Sequence, residues 1–360
     1  MILPRYLTGQ IGRATLAILG ILAALFASYG ADRFFGDAAQ GLLPLAIAAR
    51  MIGLQLVIAL EVLIPISLFL AVVLTFGRLN SDSEVVAMYA LRVTPWRVRA
   101  SVLALAGAFA VLVAALSLVA RPLAYAQMHA ISRHAEGALN VDAIQAGSFY
   151  EARHGRLVIY LAQRNGPDAP AHDVFIRRRT PEAGAGQDQI IHAAAAYRLP
   201  PEHPGGDPRI LLRDAHVIDL GGSGDMVSAG SLIVDPYRHL HGPPPYSPVA
   251  ASTWHLLHSA APADVAERQW RFSTGLSTLL LALLGIPLGQ VQPRQGKQEK
   301  FGVAVLVYAG YYLVSTSART WVEHGVVPAF PGLWWAPALL ALTVLGASFG
   351  PELWRRRRWA

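Results

Sequence analysis

Six long apolar stretches are the feature that most constrains how this chain folds. They comprise residues 14–31, 51–77, 100–120, 272–292, 301–318 and 333–349, three on each side of a polar middle segment. Each is close to the roughly 20 residues that an α-helix needs to cross a hydrocarbon layer of about 30 Å. The sequence therefore predicts a membrane α-helical protein with six transmembrane helices, three plus three.

The basic residues beside these stretches predict an orientation. Lys and Arg resist translocation, so short loops that carry them stay in the cytoplasm. With the N-terminus inside, the short outer loops hold only Arg33, Arg50 and Arg319, whereas the inner segments hold most of the remaining Lys and Arg that flank the stretches. We therefore expect both termini in the cytoplasm and the polar middle on the outside.

The first apolar stretch has a second interpretation. Arg5 and Arg13 precede it and small residues end it, as in a cleaved signal peptide. Cleavage would leave an odd number of spans and place the basic C-terminus outside, so a retained signal anchor is the preferred interpretation. The net charge of +7 follows largely from the basic inner loops, and a nucleic-acid partner is not expected.

The polar middle has the alternation typical of β-strands. Segments 156–161, 173–177, 209–213 and 216–220 alternate apolar and polar residues, and clusters rich in Gly, Pro and Asp separate them. This pattern predicts an inserted periplasmic all-β domain, a sandwich or jellyroll-like fold. Without cysteine, it must fold without disulfides. We expect transmembrane helices 1–3 in 1–122, the β domain in 123–268, and transmembrane helices 4–6 in 269–360.

The inner loop after the second stretch predicts a short amphipathic helix over about 81–92. Ser81 and Glu84 have the spacing of a capping box, apolar residues follow, and Thr94-Pro95 ends the pattern. Such a helix either rests on lipid headgroups or inserts into a groove of a soluble motor subunit. The residues expected to face that subunit are Ser81, Glu84, Val85, Met88 and Tyr89.

Three segments carry a resemblance to a known family. They are Ile-Pro-Ile-Ser-Leu-Phe-Leu at 64–70, Gly-Arg-Leu-Asn-Ser-Asp-Ser-Glu-Val-Val-Ala-Met at 77–88, and Gln-Pro-Arg-Gln-Gly at 292–296. Together they resemble the LptF/LptG permease family of the lipopolysaccharide exporter, and the similarity extends over essentially the whole chain. The loop 293–296 resembles LptF more closely, with an LptG-like paralogue or another ABC permease as the alternative.

The resemblance implies a function that the residue pattern alone does not supply. A family member would be a non-catalytic permease subunit in the bacterial inner membrane, without a cofactor of its own. It would pair with an LptG-like half and an LptB-like ATPase dimer that binds ATP and Mg. Its β domain would pass lipopolysaccharide to an LptC-like single-span partner. The resemblance also places Glu84 in the helix that contacts the ATPase.

Two further sets of residues are candidates for lipid contact. Arg33 and Arg319 lie at the predicted outer side, where a guanidinium can grip a lipid phosphate with two hydrogen bonds. Family members often have a second basic residue one turn before Arg33, but Gly30 stands there. The alternative is that both arginines only reach the headgroups as boundary residues. In the β domain, we expect the lipid path at an edge that includes Phe149, Leu157, Ile159 and Leu161.

Other motifs do not support an enzyme. The glycines and lysine at 289–297 lack the spacing of a phosphate-binding loop. The pairs His239/His241 and His255/His258 lack the helical pattern of a zinc site, so no metal is expected. Glu61 stands inside an apolar stretch, where a carboxylate requires a partner or water. A membrane-anchored periplasmic enzyme or scaffold is the competing class, but no nucleophile motif supports it.

Overall fold

The computed structural model describes residues 2–39, 44–137, 146–147, 149–152, 157–164, 169–180, 187–199, 209–220, 226–234, 246–289 and 297–358. The chain forms two compact units. One comprises Met1–Phe35, Ala48–Met128 and Tyr246–Ala360, and the other comprises Gly36–Ile47 and His129–Pro245. The predicted domain boundaries at 123 and 268 stay a prediction, and the two compact units divide at 128 and 245. The third span continues as a helix past 123, and the helix of the fourth span begins before 268.

The first unit is helical. In chain order its elements are α1 (Ile2–Ala39), α2 (Leu45–Ser81), α3 (Glu84–Ala90), α4 (Pro95–Ala115), a π-helix (Leu116–Ala120), α5 (Arg121–Gly137), α6 (Thr253–His258), α7 (Pro262–Gly289), α8 (Lys297–Glu323) and α9 (Trp335–Arg358). Among the described residues, five helices are long and apolar enough to cross a membrane, and a sixth apolar segment, Trp335–Ala347, is shorter. This confirms a membrane helical architecture with an inserted β domain.

Helix α7 packs closely against two neighbouring helices because it carries glycine at the contacts. A Cβ atom at Gly289 would lie 2.6 Å from the Cβ of Phe76 and 2.8 Å from the carbonyl oxygen of Val73. At Gly285 it would lie 2.9 Å from Val72 Cγ1, and at Gly275 3.3 Å from the carbonyl oxygen of Ala110. Small residues let membrane helices approach closely, and van der Waals packing then holds them together. Helix α7 thus fits against α2 and α4.

Pro65 lies inside α2, where it interrupts the backbone hydrogen bonding of the helix. The carbonyl oxygen that loses its donor belongs to Glu61, four residues earlier. The Tyr308 hydroxyl on α8 donates to the carbonyl oxygen of the next residue, Val62, at 3.0 Å. A hydrogen bond between α8 and α2 therefore lies beside the proline.

The second unit contains one six-stranded antiparallel sheet. Its strands are β1 (Phe149–Ala152), β2 (Leu157–Arg164), β3 (Ala171–Thr180), β4 (Gln187–Leu199), β5 (Arg209–Asp219) and β6 (Met226–Val234). They follow the order β1-β2-β3-β4-β5-β6, so each strand pairs with the next one along the chain. One apolar cluster covers a face of the sheet, built from residues that include Ile159, Leu161, Ile176, Ile191 and Leu212.

Buried and exposed side chains alternate along these strands, and in β3 and β5 the alternation is interrupted by one extra residue at the same level of the sheet. In β5, Ile210 and Leu212 are buried, and the next buried residue is Ala215. Asp214 between them has a φ of 48°, and Asp173 in β3 has a φ of 55°. The register places both aspartates in the same row. A left-handed residue changes which face the following side chains occupy, so two of them in one row shift the core pattern together.

The glycine contacts of α7 generate a stability prediction. The Gly289→Ala variant should be destabilised by about 1–3 kcal/mol, because the added methyl group meets the backbone of α2 and overpacks the contact. The matched control is Gly310→Ala in α8, where an added Cβ has no heavy atom within 4 Å. Thermal unfolding of both variants in detergent measures the difference. Equal stability of the two variants would show that the contact is not tight.

Candidate functional site

A cluster of buried charges joins four elements of the helical unit. Glu61 on α2 pairs with Arg121 on α5, with 2.9 Å between Oε2 and Nε. Arg121 also pairs with Glu267 on α7, with 2.7 Å between Nη1 and Oε1. All three side chains are at most 5% exposed. The helices are therefore tied by ion pairs that water hardly reaches.

Two more arginines complete the cluster. Arg271, one turn after Glu267 on α7, contacts Glu267 Oε1 through Nε at 2.9 Å. Arg319 on α8 forms an ion pair with Glu267 Oε2 at 2.8 Å, and its guanidinium lies 5.3 Å from the ring centroid of Trp270. Glu267 thus meets three guanidinium groups. The five side chains carry three formal positive charges and two negative ones.

Glu61 and Arg271 of the cluster also form hydrogen bonds with neighbouring side chains and backbone carbonyl groups. Ser117 Oγ and Trp270 Nε1 donate to Glu61 Oε1 at 2.7 and 3.1 Å. Arg271 Nη2 donates to the carbonyl oxygens of Pro248, Val249 and Ala251. The fully buried Arg271 therefore fixes the segment that precedes α6. Buried ions are tolerated only when they are paired and hydrogen-bonded in this way.

The π-helix beside Ser117 takes part in the same arrangement. A π-helical turn disturbs the regular backbone hydrogen bonds of an α-helix. The carbonyl oxygen of Leu118 accepts a hydrogen bond from Thr253 Oγ1 at 2.6 Å, and Thr253 Oγ1 in turn accepts one from Arg271 Nη1 at 2.9 Å. The irregular turn is therefore bonded to α6 and, through Arg271, to the ion cluster.

The cluster lies at one end of the membrane-spanning layer. Glu61 precedes Arg78 by 17 residues of α2, or about 26 Å at a rise of about 1.5 Å per residue. Glu267 precedes Gly289 by 22 residues of α7, or about 33 Å. Phe76 and Gly77, beside Gly289, are close to α3 in sequence. The charges therefore lie about one hydrocarbon thickness away from the end that carries α3.

Tyr246 and Ser259 lie outside the membrane-spanning segments at the cluster end, and they join the chain before and after α6 to Asp264 at the start of α7. The Tyr246 hydroxyl donates to Asp264 Oδ1 at 2.6 Å, and Ser259 Oγ donates to Asp264 Oδ2 at 2.5 Å. Desolvation, together with the bond to the carboxylate, raises the pKa of Tyr246 to about 12. Tyr246 therefore stays protonated and continues to donate at physiological pH.

The predicted lipid-contact arginines differ in their surroundings. Arg33 is exposed on α1, with its guanidinium 5.6 Å from the ring centroid of Phe34. Arg319 is 22% exposed and is paired with Glu267. The geometry does not bring the two arginines together in one contact, and their role toward lipid stays a prediction.

The predicted capping box is wrong in its geometry. Ser81 is the last residue of α2, and its hydroxyl donates to the carbonyl oxygen of Arg78 at 3.0 Å. Helix α3 begins at Glu84 after Ser83, which has a φ of 59° and makes no side-chain cap bond. The left-handed backbone of Ser83 makes the turn between α2 and α3, and the Ser81 hydroxyl does not cap the start of α3. Helix α3 is accordingly shorter than the predicted range of 81–92.

The residues of α3 separate into two faces. Val85 and Met88 are buried in the main apolar cluster of the helical unit, so they hold α3 on the bundle and do not form its outer surface. Their expected contact with a partner stays a prediction. The exposed face carries Tyr89 and Val86, and Leu91, directly after the helix, is exposed as well. Glu84 Oε2 accepts a hydrogen bond from the Tyr6 hydroxyl at 2.9 Å.

The predicted edge residues of the β domain occupy β1 and β2. Phe149 is 71% exposed on β1, an edge strand of the described sheet, and its ring lies 4.7 Å from that of Tyr160. Ile159 and Leu161 are buried on the apolar face of β2, and Leu157 begins that strand. The second edge strand, β6, was not predicted. It carries no charged residue over nine residues.

The described histidines His255 and His258 contact neighbouring residues of the helical unit. His255 lies 5.6 Å from the ring of Tyr246, and His258 Nδ1 bonds to the carbonyl oxygen of Trp254. In the described part of the chain, no group of three or more His, Cys, Asp or Glu residues could hold a metal ion. His239, His241 and residues 292–296 lie outside the described ranges.

Sequence reasoning missed most of the ion cluster. It identified Glu61 as a residue in need of a partner but named no partner, and Glu267 was assigned to the β domain. The signal that could have found the cluster is depth: Arg121, Glu267 and Arg319 stand at the predicted outer ends of spans, and Glu61 lies in the half of its span that is nearer to the same side. Charges at equal depth on several spans can meet when the spans pack together.

Glu267 carries a stability prediction. Glu267→Ala should destabilise the helical unit by about 3–5 kcal/mol, because it leaves buried guanidinium groups without their counter-ion. The matched control is Glu323→Ala, an exposed carboxylate on α8. Thermal unfolding and the yield of folded protein in lipid nanodiscs provide the measurement. A Glu267→Ala protein as stable as the control would mean that the ion pairs contribute little.

The comparisons with known proteins agree with one another. A family model described as the lipopolysaccharide export system permease LptF/LptG matches residues 5–348. The lipopolysaccharide export system permease protein LptF of Escherichia coli (strain K12) is 25% identical over 357 residues, covering 96% of this chain and 93% of that protein. LptF of Shigella flexneri matches to the same extent. Because the family model spans nearly the whole chain, this protein belongs to the LptF/LptG family of lipopolysaccharide export system permeases.

Proposed function

We propose that this chain is the LptF-like permease subunit of an ATP-driven exporter. The subunit extracts lipopolysaccharide from the bacterial inner membrane and passes it through the β domain toward the outer membrane. The observation that carries the proposal is α3, a short helix held between two spans with an exposed apolar face. Family membership supports the lipid substrate, and α3 supports a separate motor.

The outer surface of α3 has the properties of a docking surface. Val86 is 64% exposed, Tyr89 39% and Leu91 79%, whereas Val85 and Met88 fasten the helix to the bundle. An amphipathic helix that presents an apolar face can insert into a groove of a partner. The partner in this proposal is an LptB-like ATPase dimer. It binds ATP and Mg, so the chain itself needs no cofactor and performs no catalysis.

The basic residues support an orientation with α3 in the cytoplasm. Arg78, Arg92, Arg97 and Arg99 flank α3, whereas the opposite end of the bundle carries few unpaired basic residues near the spans. Arg319 at that end is paired with Glu267. In this orientation the termini are cytoplasmic, and the ion cluster lies at the periplasmic boundary. The β domain is then in the periplasm.

The β domain is proposed to carry lipid along its apolar face. Ile159 and Leu161 of β2 contribute to that face, and acyl chains are compatible with it. Edge strands can add a strand of another protein through backbone hydrogen bonds. An LptC-like partner could add at β1 or at the uncharged β6, and the second permease half would be LptG-like.

Glu84→Ala tests docking of the motor. Loss of a charge-assisted contact at a partly buried interface costs about 1.5–3 kcal/mol, which corresponds to about a 10- to 100-fold weaker association. We expect less ATPase to copurify with the variant and lipid-stimulated ATP hydrolysis to fall. Asp82→Ala, an exposed acid just outside α3, is the control and should behave like the parent. Normal recruitment and coupling in Glu84→Ala would contradict the proposal.

Arg33 and Arg319 are proposed to contact lipid phosphates. Arg33→Glu should reduce export more than Arg33→Lys. Lysine keeps the positive charge but lacks the planar guanidinium that donates two parallel hydrogen bonds to a phosphate. Arg319→Lys preserves a positive charge beside Glu267 and should also reduce export. Arg50→Glu, an exposed arginine that contacts Gln127 on α5, is the control. The measurement is crosslinking of lipopolysaccharide and its release from proteoliposomes. Parental activity of Arg33→Glu would exclude a phosphate contact there.

A further inference from the structure

The first turns of α1 and helix α3 contribute side chains to one apolar cluster. Leu7 and Ile11 of α1 are fully buried, and they belong to the same apolar cluster as Val85 and Met88 of α3. Both helices are therefore held in one buried cluster, and moving either helix out of it would expose apolar side chains.

Tyr6 adds a directional contact at the edge of this cluster. Its hydroxyl donates to Glu84 Oε2 at 2.9 Å, across 78 positions of sequence. The Tyr6 ring is 41% exposed, and Glu84 is half-buried. A carboxylate has two oxygens that accept several hydrogen bonds. A hydroxyl at Oε2 therefore leaves acceptor capacity for a cationic side chain of a partner.

The hydrogen bond reduces the number of conformations available to Glu84. A free glutamate side chain loses rotamer entropy when it is immobilised. A side chain that is already held in one orientation loses less on binding. The carboxylate that would meet the motor is therefore preorganised by a residue of a different helix.

Helix α1 extends this connection across the membrane. It is continuous from Ile2 to Ala39 and contains one proline, Pro4, in its first turn, where proline is tolerated. Tyr6 and Arg33 are 27 residues apart, about 40 Å along the helix. The helix that contacts α3 at one end is thus the helix that carries the exposed Arg33 at the other.

We propose that Tyr6 is a positioning residue for Glu84 and that it joins α3 to α1. Movement of α3 by the motor is then passed to α1 and along it to the opposite side of the membrane. This inference rests on the proposed docking of α3 on the ATPase. It assigns to Tyr6 a role in coupling that is separate from assembly of the complex.

Tyr6→Phe tests this role because it removes the hydroxyl and keeps the ring. In the complete transporter in proteoliposomes, we expect about a three- to fivefold fall in lipopolysaccharide released per ATP hydrolysed, the size expected for one hydrogen bond. The thermal midpoint should be unchanged, and so should the amount of ATPase bound at a saturating ATPase concentration. The control is Tyr29→Phe, which removes a hydroxyl from an exposed tyrosine nearer the other end of α1.

A double variant separates positioning from a merely structural effect. If Tyr6 acts through Glu84, Tyr6→Phe should have no further effect in a Glu84→Ala background, because interacting residues are non-additive. The inference would be overturned if the double variant showed the product of the two single-variant decreases in lipopolysaccharide released per ATP. It would also be overturned if the Tyr6→Phe protein behaved like the Tyr29→Phe control. A defective Glu84→Ala protein with a normal Tyr6→Phe protein would overturn the positioning role alone. A normal Glu84→Ala protein would overturn both the docking proposal and this inference.

Discussion

The carboxylate of Glu267 lies fully buried among three guanidinium groups, and the arrangement of the helical unit depends on it. Arg121 and Arg319 reach it from α5 and α8, and Arg121 also brings in Glu61 of α2. Apolar side chains alone do not determine which helices pack together in a bilayer, because lipid tails are equally apolar. A buried charged side chain does favour a particular neighbour, because leaving the charge unpaired costs free energy. The ion cluster therefore specifies which helices meet, and the glycine contacts of α7 determine how closely they approach.

Much of the fold could be predicted because its signals are local. Membrane spans are continuous apolar runs, and the strands β2, β3 and β5 follow the alternation of their own residues. The predictions at 209–213 and 216–220 proved to be one strand, β5, because left-handed Asp214 shifts the alternation without ending the strand. Strand β4 was missed. Its Ala193–Ala196 run has a high helix propensity, and pairing with β3 and β5 overrides that preference.

The candidate site was less predictable because its residues are distant in sequence. Glu61 was recognised as a residue that needs a partner, but its contacts come from residues 117, 121 and 270, which only packing brings together. At α3, the sequence predicted a helix and a carboxylate, and both are present. It could not show that Val85 and Met88 face the bundle. An amphipathic pattern identifies an apolar face, but it does not indicate whether that face packs on the same chain or on a partner. The contact of Tyr6 with Glu84 has no sequence signal at all.

The distribution of burial suggests where this bundle can change shape. Helices α2 and α7 are largely buried, and their glycine contacts allow little sliding because packed interiors resist small displacements. Helix α1 is covered mainly near α3: Leu16, Ile21 and Leu25 are each 63% exposed. Moving α1 therefore breaks few contacts between helices of this chain, whereas moving α7 would break the ion cluster. A displacement that begins at α3 meets the least resistance along α1, and α1 also carries Tyr6, which donates a hydrogen bond to Glu84 of α3.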